Sequence, residues 1–128
     1  MPISRIKAGF TLIELLMVMV VIGLLAAIAI PKFVETKSRA FTTAQKSDLK
    51  NLITQQESYF FNNRAYSLSA NAVGISPSNG VTLTITEAGG TGWSATTTHA
   101  QTAVHCAVFY GTAGVVAPAV VQGVIGCQ

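Results

Sequence analysis

Lys7-Ala8-Gly9-Phe10-Thr11-Leu12-Ile13-Glu14-Leu15-Leu16 puts a basic flank, a glycine and a lone carboxylate at the mouth of a long apolar segment. From Phe10 to Ile30 run 21 residues whose only charge is Glu14. At the helical rise per residue this makes a helix of about 31 Å, enough to cross the hydrocarbon core of a bilayer. A carboxylate within such a span costs about 2.5 to 3.5 kcal/mol on insertion scales, although so near Phe10 it can reach toward the interface. Bulk hydrophobicity does not call for Glu14, so a contact should offset its cost. One candidate partner is an α-amine at Phe10, one helical turn away or in a neighbouring chain, which exists only if the bond after Gly9 is cut.

These residues resemble the N-terminus of type IV pilins and of the related pseudopilins of type II secretion: a short basic leader ending in Gly9, then Phe10, Glu14 and an apolar helix. The resemblance is strongest over residues 5 to 35; the remainder agrees in general layout. It implies that a membrane-embedded prepilin peptidase cuts between Gly9 and Phe10 on the cytoplasmic side and methylates the new amine of Phe10. Residues 1–9 would then be lost as a leader. It further implies that Glu14 neutralises the Phe10 amine of an adjacent subunit and so sets the register of assembly. A secretory signal peptide differs, because its cleavage site follows the apolar region and removes it; here the apolar region is retained as an anchor.

With 128 residues and about a quarter of them in leader and span, the rest suffices for one small domain, not for a two-domain enzyme. The net charge of +3 falls to +1 once Arg5 and Lys7 go with the leader, which is poor support for nucleic-acid binding. Those two charges precede the span, and the positive-inside rule keeps that end cytoplasmic while the C-terminal part is translocated. Cys106 and Cys127 both lie in the translocated part, and an even pair in an oxidising space reads as a disulfide; a pair of reduced buried thiols is the alternative. Closing a ring of that size contributes roughly 3 kcal/mol on the chain-entropy account, valuable to a small core.

After Pro31 the composition turns polar, as where a helix leaves lipid for water. Phe33, Phe41, Ala44, Leu49, Leu52, Ile53 and Phe60 fall mostly at three- and four-residue spacings, with Lys46, Asp48, Lys50 and Glu57 placed elsewhere. That pattern predicts an amphipathic helix to about Asn62, continuous with the span. Gly23 and Pro31 are its weak points. The resemblance implies unwinding between them on filament assembly; a mild proline kink in an intact helix is the other reading.

Residues 66–80 read as a connecting loop. Val81 to Thr86 alternates apolar residues with threonine, residues 88–92 form a turn, and residues 93–98 return as the second strand of a hairpin. A third strand is expected over residues 104–110, with Val81, Leu83 and Ile85 covering the helix. Residues 114–128 are apolar but broken by glycine and proline, too interrupted for a second span. They supply either a fourth strand or an irregular loop over the sheet.

No serine, histidine and carboxylate set suits nucleophilic catalysis, since Glu87 is the sole acid after residue 60. An enzyme is not expected, nor a cofactor. His99 and His105 lack further ligands for a metal and read as strand or turn histidines. Phe33, Phe41, Tyr59, Phe60, Phe61 and Tyr66 read as packing between helix and head rather than an electron path. Lys32, Lys37 and Arg39 suit lipid headgroups or filament contacts better than DNA, and nucleic acid is left as a weak possibility.

The expected fold is α+β: a long N-terminal helix packed on a small antiparallel sheet of three or four strands. Its parts are a leader (1–9), a transmembrane and filament-core helix (10–30), an amphipathic continuation (31–62) and a β head (63–128) whose C-terminal region is bounded by the cysteines. The expected function is a structural subunit, a major pilin, of a type IV pilus for adhesion, twitching motility or DNA uptake. The alternatives are a minor pilin, a type II secretion pseudopilin, or a membrane-anchored binding module that never polymerises. The implied partners are further pilin subunits, prepilin peptidase, the pilus assembly platform and the outer-membrane secretin. The chain would rest in the inner membrane, its head outward, before joining a pilus at the cell surface.

Overall fold

The computed structural model describes residues 9–128, so the leader residues before Gly9, Arg5 and Lys7 included, lie outside the described residues. A helix, α1 (Leu12–Asn63), is followed by four strands: β1 (Val81–Ala88), β2 (Gly92–His99), β3 (Thr102–Gly111) and β4 (Gly126–Cys127). The strands form one antiparallel sheet in chain order. The chain divides between Thr36 and Lys37 into two compact units.

α1 passes through Gly23 and Pro31 without a break. Proline lacks a donor and crowds the carbonyl four residues back, but an intact helix on either side tolerates one such site. In the single chain the segment between them is helical throughout. The helix stops with definite chemistry. Arg64 takes a left-handed conformation (φ 59°) and its N–H donates to the Phe60 carbonyl at 2.8 Å, while the Asn62 and Asn63 side chains donate to the Ser58 and Tyr59 carbonyls at 3.1 and 3.0 Å. Carbonyls left over at a helix end are thereby satisfied.

In the second unit the Lys37–Asn63 part of α1 lies on the sheet. Leu49 and Leu52, both fully buried, meet Ile85, Trp93, Ala95, Cys106 and Val108. β1 behaves as its alternation requires: Val81 and Ile85 are buried and Leu83 half-buried, while Thr82, Thr84 and Thr86 are exposed. β3 is buried on both faces at its centre. Cys106 and Val108 join the main core, whereas Ala107 and Phe109 form a second cluster with Ala119, against which the half-buried Val116 packs. Residues 112–125 therefore cross the outer face of the sheet as a loop, and the chain then returns as β4, so both readings of the C-terminal stretch hold at once. Two glycines make this path possible. A Cβ at Gly126 would collide with the Pro118 carbonyl, and Gly111, at φ +64°, has no room beside the Thr91 carbonyl.

One expectation from the helical pattern is corrected. Asp48 does not belong to the exposed polar face of α1; it is 3% exposed. The carboxylate is stabilised there because it accepts hydrogen bonds from Ser78, a residue distant in sequence.

Candidate functional site

At the N-terminal end of the described chain, Thr11 and Glu14 build a capping box. Thr11 precedes the helix and its hydroxyl accepts the Glu14 N–H at 3.3 Å; in return Glu14 Oε2 accepts the Thr11 N–H at 2.9 Å and the Thr11 hydroxyl at 2.8 Å. In the single chain the partner of the Glu14 carboxylate is thus Thr11. The sequence pattern of a threonine three residues before a glutamate was a legible signal for this cap. Gly9 meets nothing within 4 Å of an added Cβ and has no positive φ, so nothing within the chain demands glycine there. Gly23 likewise has open space around it.

Beyond the cap no apolar side chain of the first unit is buried, and all but the half-buried Ala26 are exposed. Phe10 is 78% exposed and Leu12 84%. This part of α1 is long and apolar enough to cross a membrane, and none of the apolar window is buried within the chain. A helix apolar all round has no face reserved for the head and calls for an apolar environment from outside.

The other part of α1 is fastened by polar residues as well as leucines. Asp48 accepts the Ser78 N–H and hydroxyl, both at 2.8 Å; Gln45 Nε2 donates to the Val104 carbonyl at 2.9 Å; Gln56 donates to the Ser67 carbonyl at 2.6 Å and accepts the Ser67 N–H at 3.0 Å. These three clamps join the helix to the loop on one side and to β3 on the other. Their polarity points to solvent, yet in the folded helix 45, 48, 49, 52 and 56 form one three- and four-spaced stripe with the core leucines.

Cys106 and Cys127 are directly opposed across β3 and β4 and are joined as a disulfide. His99 is buried and stacked on Phe41, centroids 4.1 Å apart, while its Nδ1 accepts the Gln101 N–H; His105 lies exposed on β3. The two histidines are therefore placed apart in role as well as in sequence. Of the aromatic set, Phe60 stacks on Tyr66 at 4.6 Å, and the series continues through Trp93 to Tyr110; Phe33 and Phe61 stay exposed. Burial, then the hydrogen bond to Glu57 and its negative charge, push the Tyr66 phenol up; burial and Glu57 do the same to Tyr110.

The family described as "Prokaryotic N-terminal methylation motif" matches residues 4–30. Among known proteins, the type IV major pilin protein PilA of Myxococcus xanthus (strain DK1622) is 47% identical over 83 residues, 62% of this chain and 38% of that relative. The type II secretion system core protein G of Pseudomonas aeruginosa is 37% identical over 62 residues, covering 48% of this chain and 44% of that protein. The type IV wide pilus major component PilA4 of Thermus thermophilus is 40% identical over 62 residues, covering 48% and 47%. Each match thus spans less than half of the relative's length. A capped, outward-facing apolar helix with a methylation motif at its start, continuing into a helix clamped on a four-stranded antiparallel sheet, defines the class of pilin-like subunits. Over part of its length the chain is thus similar to type IV pilins and to a type II secretion core protein, and its fold is of the type IV pilin α+β kind.

Proposed function

We propose that the protein is the major structural subunit of a type IV pilus, cut by prepilin peptidase between Gly9 and Phe10 and methylated on the Phe10 amine. The observation that carries this reading is the N-terminal constellation: Glu14 in the first turn of a helix whose apolar residues are all left uncovered by the chain itself. Such a helix sits in the inner membrane as a monomer and packs against its equivalents in a filament. A contact between unlike surfaces that does not close a ring generates an open fibre. On assembly the Glu14 carboxylate exchanges Thr11 for the Phe10 amine of a neighbour, a charge-assisted pair that fixes the register. The role is mechanical, not enzymatic, and serves adhesion, twitching motility or DNA uptake, with the assembly platform and secretin as partners.

Intact mass and N-terminal analysis of filaments sheared from the native cell surface test the reading. A chain beginning at N-methyl-Phe10 is expected, and Glu14→Ala should abolish the filaments while leaving processed subunit in the membrane. An unprocessed chain confined to the membrane would overturn it. Similarity to the secretion core protein G supports a second reading, a pseudopilin. Filaments that appear only with an overexpressed secretion system, and never on the native surface, would favour that one.

A further inference from the structure

An asparagine carries its own electrophile, because the backbone nitrogen of the next residue can attack the side-chain carbon and close a cyclic imide. Asparagine occurs at 51, 62, 63, 71 and 79, and the amide that follows is held differently in each case. Leu52 and Asn63 lie inside α1, where backbone N–H groups donate along the helix. The Arg64 N–H donates to the Phe60 carbonyl at 2.8 Å, and the Ala72 N–H to the Ser69 hydroxyl at 3.3 Å. Asn79 is followed by Gly80, whose N–H donates to no group among the described residues and has no side chain to shield it. The Asn79 side chain is exposed and unbonded among the same residues.

The surroundings of Asn79 restrain this reaction without preventing it. Ser78 to Val81 form a turn closed by the Val81 N–H on the Ser78 carbonyl at 3.0 Å, with Gly80 at φ +81°, the type II arrangement. In that turn the residue before the glycine holds ψ near about +120°. Ring closure needs the Gly80 nitrogen rotated to the side of the Asn79 Cβ, so the turn must open first. It is held shut by Asp48, which binds the N–H and hydroxyl of Ser78, both at 2.8 Å. Water has access: Asn79, Gly80, His99 and Gln101 line a hollow of about 210 Å3 whose rim is exposed.

We propose that Asn79 is a self-modifying site, converted to aspartate and isoaspartate at a rate set by the clamp between Asp48 and Ser78. The Gly80 nitrogen gives up its proton and bonds to Asn79 Cγ; the Cγ–Nδ2 bond breaks and ammonia leaves with that proton. Water then adds to one imide carbonyl and the C–N bond there breaks, restoring the N–H. Attack at the side-chain carbonyl gives aspartate, and attack at the backbone carbonyl gives isoaspartate. Nothing is oxidised or reduced, and water is the sole co-reactant. Isoaspartate lengthens the backbone by a methylene just before the pairing of Val81 with His99 and the bond from the Ala100 N–H to the Gly80 carbonyl. Either product sets a second carboxylate one residue from Ser78, which already binds that of Asp48. The modification thus loosens the loop from the helix at a fixed point.

The test incubates the full-length chain in detergent and heavy-oxygen water, at neutral and mildly alkaline pH. Peptide mass spectrometry with electron-transfer fragmentation distinguishes aspartate from isoaspartate. Residue 79 should convert before the other asparagines, to both products, faster in alkali, with heavy oxygen incorporated. Asn79→Gln, whose longer side chain closes a larger ring, should stay unmodified. Asp48→Asn, its fold checked by Trp93 fluorescence, should convert roughly ten-fold faster, the worth of one charge-assisted hydrogen bond in turn opening. Ser78→Ala, which removes only the hydroxyl contact, should move the rate in the same direction if Asp48→Asn does not fold. Persistence of Asn79 in the native chain after the urea-unfolded chain has converted would overturn the proposal. So would aspartate without isoaspartate, the mark of direct hydrolysis, or native rates in the folded clamp variants. The readout needs no filament, so its failure leaves the pilus reading standing.

Discussion

Leu25 and Leu52 occupy the same helix, yet the first is 64% exposed and the second fully buried. Around Leu25 all neighbours are apolar, and no side of the helix is distinguished from another. Around Leu52 the apolar positions form a stripe, flanked by Gln45, Asp48 and Gln56, each of which grips a backbone or hydroxyl group of the head. Directional bonds specify one docking; undirected apolar surface specifies only the removal of water. The helix thus combines a part that the chain itself leaves uncovered with a part adapted to a single docking on the head.

The comparison breaks most visibly at those two leucines. Leu52→Ala should lower the stability of the head by about 2 to 5 kcal/mol, the range for a buried leucine, whereas Leu25→Ala should leave it unchanged. Denaturant titration in detergent, read by the fluorescence of the buried Trp93, measures both. Equal losses would mean that the apolar half also supports the head. Replacing Cys106 and Cys127 together by serine should cost roughly 3 kcal/mol in the same assay, with the helical content retained. Thr11→Ala removes the cap and should cost about 1 kcal/mol of helix stability at the N-terminal end, visible as faster amide exchange there, with no change in the Trp93 transition.

The smallest effect is in alkaline solution. Tyr66 and Tyr110 hold their protons more tightly in the folded chain than in the unfolded one. Their contribution is therefore complete below the ordinary phenol value near ~10 and is lost as pH rises through the higher folded values. Stability should be flat from neutral pH to that point and decline above it. Tyr66→Phe should make the decline shallower, and an unchanged slope would remove Tyr66 from the account.

Much of this was legible from local pattern. Alternation in β1, the glycine-rich turn before β2 and the paired late cysteines each depend on residues near one another or on compartment, and each appears in the structure. Asp48 was not legible, because its burial depends on Ser78, brought to it only by the folded loop. Gln45 and Gln56 share that difficulty: polarity suggested solvent while spacing suggested the core, and spacing prevailed because the partners were backbone groups elsewhere. The double burial of β3 was hidden for a related reason. Its alternation is plain, but Ala119 and Val116 reach its outer face through a loop with no period of its own.

The final strand has a consequence under tension. β4 contributes only two residues to the sheet, and so short a ladder would peel away rung by rung if the C-terminal loop were pulled. The bond between Cys106 and Cys127 lies across that same pair of rungs, in parallel with them. A load applied to the loop therefore passes through a covalent link into β3, which is bonded to β2 along most of its length. The weakest seam of the sheet has been made the one that cannot unzip.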